Sequence, residues 1–406
     1  MANAGTASLP RVLIAAGGIY TAQSLIGGLT FMGIPAILRA ENVALDKIGL
    51  VSLAMLVWAV KFLWSPWTER LRILPDGRRR SRLIIVAGEI VVALLLIGLG
   101  FAGTASFTTI LVLLVLMAVA SATVDIACDA YIIEQMQPGR RGAGNVAQVG
   151  GGYLGLIFGS GLFVTVSALW GWLVACMLLA LILLAMSLPM ALTPEARRKT
   201  LPQTERPGLK SALCRFDMRM GLCMAVVFEM SGRLAQSLSG PFLIDAGIPL
   251  SLLGVLNGIG GVVAGVAGAA LGGLIVHRHG AKAALLLVAM LHVATLCLVA
   301  AIVTLHVQYL PMLIGAFMLE GAIMAAGFVA IYSRLMDIVS EKQPGVDFTL
   351  FQSASAVAAA LFGYSGAMLA ARSGYSASFL MALLLALMTP FLIRFLERRL
   401  IMGISS

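Results

Sequence analysis

The chain has 406 residues, of which 60% are hydrophobic and 11% charged. Soluble domains carry about 25% charged residues, so this composition cannot cover a water-facing surface, and it excludes an ordinary cytosolic enzyme and a disordered chain. The 28 Lys and Arg outnumber the 18 Asp and Glu, for a formal charge of +10, but their placement along the chain excludes a nucleic-acid-binding module as well.

A helix that crosses the hydrocarbon of a bilayer needs about 20 apolar residues. Twelve such segments are predicted, at residues 11–38, 48–66, 83–101, 107–134, 144–167, 170–192, 217–243, 251–275, 283–305, 309–335, 348–371 and 375–395. The first is too long for a cleavable leader, carries one positive charge at Arg11, and lacks a small-residue cleavage site. It contains Tyr20, Gln23 and Ser24. The second contains Lys61 and leads into Glu69, Arg70 and Arg78–Arg80. Glu89 lies in the third, and Asp125, Asp129 and Glu134 lie in the fourth. The fifth has Asn145, Gln148 and Tyr153, with Gly151, Gly155 and Gly159 at four-residue spacing.

After the sixth segment comes a polar stretch, residues 193–216, with three Pro and six Lys or Arg. It reads as a linker between an N-terminal bundle, 1–192, and a C-terminal bundle, 217–406. The seventh segment holds Glu229, Arg233 and Gln236, and the eighth holds Asn257 and a run of spaced glycines. Glu320 and Tyr332 lie in the tenth, and Gln352 and Ser355 in the eleventh.

An even number of crossings puts both ends on one side. With those ends in the cytoplasm, 22 of the 28 Lys and Arg fall at inner ends, while the outer loops hold Arg39, Lys47 and Arg372. Lys and Arg concentrate on the cytoplasmic side of membrane proteins, so the basic excess is a topology signal and no nucleic-acid partner is expected.

A charge near the bilayer centre costs about 2.5–3.5 kcal/mol and needs a partner or a wet cavity. Asp125 and Asp129 are four apart and share a helix face. They read either as a proton or cation site or, for Asp129 with Glu134, as a clamp on Arg70 or Arg78–Arg80. Glu229 and Arg233 stand at i, i+4 in the favourable order for an ion pair. Such a pair can simply neutralise itself, or it can bind an anionic substrate group. Glu320 has no basic residue within a turn of its own segment, which makes it a candidate titrating group. Asp125, Glu229 and Glu320 are thus the proton-coupling candidates. Tyr20, Gln23, Gln148, Tyr153, Arg233, Gln236, Asn257 and Gln352 are the candidate substrate-cavity residues.

The two halves repeat a feature. Pro66-Trp67-Thr68-Glu69-Arg70 and Gly77-Arg78-Arg79-Arg80 follow the second segment; Gly273 to Lys282, with His277, Arg278 and His279, follow the eighth. Two halves related about the membrane normal are a transporter architecture. The second loop has the spacing of the GxxxD-R/K-xG-R/K-R/K signature and so resembles the major facilitator superfamily, with His277 and Ala281 as departures. The resemblance implies twelve helices in two pseudo-symmetric six-helix bundles, a cavity lined by the first, fourth, seventh and tenth, and fifth and eighth helices meeting across the halves. It also makes Glu69, Arg70, Arg78, Asp129, Glu134 and Arg278 candidate cytoplasmic gate residues.

Lys61-Phe62-Leu63-Trp64-Ser65-Pro66, the acids Asp125, Asp129 and Glu134, and Arg141-Gly142-Ala143-Gly144 resemble the muropeptide-permease and acetyl-CoA-transporter group. Muropeptide permeases carry a Lys where this chain has Ile132. Over its whole length the chain is similar to the siderophore-uptake branch of that group, the rhizobactin- and pyochelin-permease type. The resemblance implies a monomeric inner-membrane importer of a ferric siderophore, working by alternating access. A muropeptide permease or a drug and proton antiporter of the same fold is the alternative. No Walker A sequence occurs and no catalytic or metal-ligand motif is legible, so no cofactor, metal or enzymatic activity is expected and protons are the simplest driving ion.

Overall fold

The computed structural model describes residues 8–41, 43, 50–51, 54, 56–74, 78–137, 140–195, 207–249, 252 and 255–404. The described residues are helical throughout, apart from turns and an isolated bridge between Ile73 and Arg79. The chain divides into two compact units. Unit 1 comprises Met1–Leu209 with Ser340–Thr349, and unit 2 comprises Lys210–Val339 with Leu350–Ser406.

Unit 1 contains α1 (Leu9–Ala40), α2 (Leu56–Val60), α3 (Ser65–Arg72), α4 (Ser81–Ala102), α5 (Phe107–Gln135), α6 (Arg141–Trp170) and α7 (Trp172–Leu192). Then come α8 (Leu209–Cys214), α9 (Phe216–Asp245), α10 (Gly261–Thr304), α11 (Leu310–Ile338) and α12 (Pro344–Ile404). Eight helical runs among the described residues are long and apolar enough to cross a membrane. Two of these runs are double. Gly280 (φ 77°) breaks α10 and Gly374 (φ 82°) breaks α12, which separates the predicted eighth from ninth and eleventh from twelfth segments. Glycine reaches positive φ without the Cβ penalty. The 30-residue α9 is as long, but it carries Asp217, Arg219, Glu229 and Arg233.

The predicted second segment, 48–66, lies partly outside the described residues. Its remainder differs from the expectation of a helix ending near Pro66. The chain makes a 3-10 turn at Lys61–Leu63, and a new helix starts at Ser65 and runs to Arg72. Pro66 explains the restart: it has no N–H to give a preceding turn but is pre-set for a first helical turn. Pro35 acts similarly in α1. Its ring and missing N–H remove the bond to the Phe31 carbonyl, and the helix widens to a π turn at Leu29–Gly33. In the predicted linker, residues 207–216 are described and include α8; 196–206 lie outside the described residues.

In unit 1 the core joins Leu25, Ile26 and Leu29 of α1 to Val92 and Leu96 of α4, Leu114 and Met117 of α5, and Leu179 and Leu183 of α7. In unit 2, Leu234 and Leu238 of α9 meet Leu296 and Val299 of α10, Phe317 of α11, and Phe379 of α12. The other faces of these helices leave large apolar side chains exposed, such as Leu94, Leu181 and Phe391. A soluble monomer rarely exposes apolar area on this scale, and lipid is the solvent it fits.

The spaced glycines bring helices together inside each unit. A Cβ on Gly151 would lie 2.8 Å from the Gly17 carbonyl oxygen, one on Gly155 would lie 2.7 Å from Leu25 N, and one on Gly159 would lie 2.5 Å from Leu29 N. These glycines therefore lay α6 against the backbone of α1. In unit 2, a Cβ on Gly268 would meet Ala322, and one on Gly272 would stand 2.6 Å from the Ala326 oxygen. Small residues permit such close approach, but their spacing does not say which helix approaches.

Candidate functional site

Unit 1 holds a buried polar layer built from four segments. Asp125 and Asp129 project from one face of α5, as their spacing predicts, and each has its own partners. Lys61, delivered by the 3-10 turn after α2, forms an ion pair with Asp125, both side chains being buried. Gln23 of α1, with its amide turned to satisfy both groups, donates to Asp125 Oδ1 at 2.8 Å. Tyr20, one turn earlier on α1, donates its hydroxyl to Asp129 Oδ1 at 2.5 Å, and Gln148 of α6 donates to the same oxygen at 3.1 Å. Trp64 Nε1 donates to Thr123 Oγ1 at 3.1 Å and ties the Lys61 turn to α5. The two carboxylates have different partners, and Asp129 joins Tyr20 and Gln148 in this layer.

Toward the end of α5 Glu134 pairs with Arg79, one of the arginines predicted for the clamp, and Arg72 is a further member. Arg72 is fully buried. Its Nε and Nη2 donate to Glu69 at 3.1 and 2.7 Å, its Nη1 and Nη2 donate to Glu134 at 2.6 and 2.9 Å, and Nη1 also reaches Ser81 Oγ at 3.1 Å. Arg79 Nη2 pairs with Glu134 Oε1 at 3.1 Å. Burial alone would lower the Arg72 pKa, but Glu69 and then Glu134 more than reverse this, and the guanidinium is held above its ordinary pKa. Arg70, expected in this role, instead donates to the Pro207 carbonyl at 3.0 Å. Adjacent helical residues point about 100° apart, whereas i, i+3 residues share a face, so Glu69 selects Arg72. Arg78 is exposed at the rim of the clamp.

The segment 340–349 of unit 1 lies against the same carboxylate. A Cβ on Gly345 would stand 2.5 Å from Glu69 Oε2 and 3.3 Å from the Ile126 oxygen. Asp347 accepts from the Ser340 N–H and from Gln343 Nε2, each at 2.9 Å, and Gln343 Oε1 accepts from the Gly208 N–H at 2.9 Å.

In unit 2 the predicted i, i+4 pair forms: Arg233 Nε donates to Glu229 Oε2 at 2.6 Å, and Arg233 Nη1 donates to Gln236 Oε1 at 2.7 Å. The guanidinium lies 4.9 Å from the centroid of the Phe328 ring, a cation–π geometry. Ser355 also faces Glu229. Glu320 is buried, and its Oε1 has no hydrogen-bond partner among the described residues. His292, buried in α10 with neither ring nitrogen hydrogen-bonded among the described residues, lies close to Gly232, the residue before Arg233; as a lone histidine in an apolar run it carries no motif that would single it out from the sequence. Tyr153 and Gln352 are half-buried on α6 and α12, Tyr332 stacks near Phe328 at 5.8 Å, and Asn145 is buried and bonds back to the Arg141 carbonyl. The Asn257 side chain lies outside the described residues.

Arg278, expected as a gate residue, is exposed on the helix just before the break at Gly280 and makes no ion pair among the described residues. The unit 2 network forms elsewhere: Arg334 Nε and Nη2 donate to the buried Glu397 at 2.5 and 3.0 Å, with Lys282 Nζ at 3.7 Å. Glu397 was not singled out from the sequence, because it lies near the end of the last predicted segment, where a charge needs no explanation.

Long apolar helices in two units, each enclosing a few paired charges, define a multi-pass membrane protein of the transporter type. The Major Facilitator Superfamily model matches residues 13–303, and the chain belongs to that superfamily, whose members are transporters of small molecules and not enzymes. It is 29% identical over 351 residues to the anhydromuropeptide permease of Escherichia coli, covering 84% of this chain and 71% of the relative. It is 22% identical over 401 residues to a putative transporter, AmpG 4, of Rickettsia conorii, covering 94% and 95%. Among solved structures, the human organic anion transporter MFSD10 (TETRAN) superposes with a TM-score of 0.74 at 16% identity, over 95% of this chain and 98% of that one. At that identity the likeness speaks for the fold.

Proposed function

We propose that this chain is an inner-membrane, proton-coupled importer that carries a small anionic solute into the cytoplasm by alternating access, with both termini cytoplasmic and the halves 1–192 and 217–406 joined by the 193–216 linker. The anhydromuropeptide permease of Escherichia coli makes an anhydromuropeptide the first solute to consider. The observation that carries the reading is the unit 1 layer, in which Lys61, Asp125, Tyr20, Asp129 and Gln148 are buried together on four segments. Charges at membrane depth that are held apart by individual partners mark ion or substrate pathways.

In this reading Asp125, Glu229 and Glu320 exchange protons. Arg233, with Gln236, receives an anionic group of the solute. Tyr20, Gln23, Gln148, Tyr153, Asn257 and Gln352 supply hydrogen bonds. Glu69, Arg72, Arg79 and Glu134 form the cytoplasmic gate, with Arg72 in the role first expected of Arg70.

A second reading, import of a ferric siderophore of the pyochelin type, is favoured by Ile132. The resemblance to muropeptide permeases places a Lys there, and this chain has a fully buried isoleucine against Gly144. Proteoliposomes holding the purified chain decide between the readings. Saturable uptake of labelled anhydromuropeptide that a protonophore abolishes supports the first. Uptake of a ferric siderophore, with loss of growth on it as sole iron source in a deletion strain, supports the second. Failure of both substrates would overturn both readings.

A further inference from the structure

Two titratable side chains in the core of unit 2 carry polar atoms without a hydrogen-bond partner among the described residues. His292, in the part of α10 that follows the Gly280 break, has both ring nitrogens unpaired, and Glu320 of α11 has Oε1 unpaired. Each residue is more than nine-tenths buried.

Close approaches in this unit fix how the two helices face each other. A Cβ on Gly232 of α9 would stand 2.5 Å from Met324 Sδ of α11 and 3.7 Å from His292 Nε2 of α10. One on Gly327 of α11 would stand 3.5 Å from Val288 Cγ1 of α10. Position 288 thus lies level with 327, and 292 with 324, so this part of α10 runs antiparallel to α11. Glu320 is four residues from Met324 and seven from Gly327, which puts it on the same face of α11, one turn further on. A helical turn rises about 5.4 Å, a span that a glutamate and an imidazole side chain cover between them.

The other polar groups around this point have partners of their own. On α9, the charge of Arg233 acts on Glu320, while its guanidinium donates to Glu229 and Gln236. On α12, Phe379 fills the adjoining core, and Tyr375, packed on the same core, donates to Asp245 at 2.6 Å. On α10, Thr295 donates to the His292 carbonyl at 3.0 Å and not to its ring.

A buried polar group without a partner is costly, and an apolar residue at either position would remove that cost. An imidazole beside a carboxyl offers something an apolar pair cannot. A proton that leaves the Glu320 carboxyl and binds a ring nitrogen of His292 turns two neutral groups into an ion pair, and its return restores them. Histidine suits this exchange because its ordinary pKa lies near neutrality. We infer that His292 and Glu320 form one proton-binding site in the core of unit 2, with the proton shared between α10 and α11. The inference deepens the proposed function and rests on it for the use of this proton in transport.

The test uses the full chain in lipid nanodiscs, with isotope-labelled histidine followed by nitrogen NMR through a pH titration. The chain has four His; His277, His279 and His306 are exposed and serve as internal references, and His292→Gln assigns the buried signal. Glu320→Gln should move the His292 titration by about one pH unit or more, the scale on which two groups titrate as a pair, and should leave the reference histidines in place. Glu320→Asp keeps the acid but draws it back by one methylene; it should move the titration by less, and it decides the matter if the Gln variant does not fold. Glu229→Gln should move it less than Glu320→Gln does. A His292 signal that does not titrate, that the Glu320 variants leave in place, or that Glu229→Gln moves equally far would overturn the proposal. The measurement needs no solute: uptake indifferent to a pH gradient would defeat the proposed coupling and leave the shared site standing, whereas an unmoved His292 would defeat the shared site alone.

Discussion

Lys61 and Asp125 form a buried ion pair across 64 residues of sequence, joining the turn after α2 to the middle of α5. Removing one member of a buried pair strands the other charge and costs about 3–5 kcal/mol, whereas replacing both by apolar residues is often neutral. Asp125→Asn and Lys61→Met should each lower the melting temperature in detergent. The double variant Lys61→Met, Asp125→Leu should recover most of that loss. If the pair also serves coupling, the double variant should be stable and inactive in uptake; a stable variant with normal proton-driven uptake would reduce the pair to a structural role.

Arg72 donates to two carboxylates and a serine hydroxyl at once, which a lysine cannot reproduce because its ammonium lacks the planar fork. Arg72→Lys should destabilise the chain by at least about 2 kcal/mol, in the range for broken buried networks. Arg70→Lys, which has one carbonyl to satisfy, should stay within about 0.5 kcal/mol of the parent. Denaturation midpoints of the two variants in one detergent make the comparison. Equal effects would show that the clamp is assigned to the wrong arginine.

Gly155 and Gly161 offer a matched pair on α6. A methyl group at Gly155 meets Leu25 N at 2.7 Å, while one at Gly161 meets nothing within 4 Å. Overpacking costs about 1–3 kcal/mol, so Gly155→Ala should lower thermal stability and Gly161→Ala should leave it unchanged or slightly raised. Similar melting curves for both would contradict the packing of α1 on α6.

Glu229 and Glu320 are separable in transport assays. Glu229→Gln and Glu320→Gln should each depress uptake driven by a pH gradient, while solute exchange at equilibrium persists, because exchange needs no net proton movement. Uptake that keeps its full dependence on the gradient in both variants would remove them as proton carriers. His292→Ala adds a control on the same unit: a loss like that of Glu320→Gln would bring His292 into the path.

What the sequence made legible was set by range. The Glu229–Arg233 pair lies one turn apart on one helix, so spacing alone predicts it. The Asp125–Asp129 face was legible for the same reason, but their partners were not. Lys61, Tyr20 and Gln148 arrive from other helices, and nothing in a linear pattern ties a lysine in an apolar run to an acid 64 residues later. The Arg70 and Arg278 expectations followed a motif in which neighbouring residues look equivalent; helical rotation turns Arg70 outward and Arg72 inward, and Arg278 sits on an exposed helical stretch just before the Gly280 break. Long apolar runs fixed the helices to within a few residues, except where Pro66 restarts the chain after the second predicted segment. The glycine spacing announced close approach, and only the fold shows that α1 and α11 are the partners.

Backbones as near as those of α1 and α6 around Gly151, Gly155 and Gly159 cannot slide past each other without lifting apart. The two helices therefore travel as a single plate, and Tyr20, Gln23 and Gln148 ride on it with fixed mutual spacing. Lys61 reaches the layer from a different element, the 3-10 turn at Lys61–Leu63, so its hold on Asp125 is set independently of that plate.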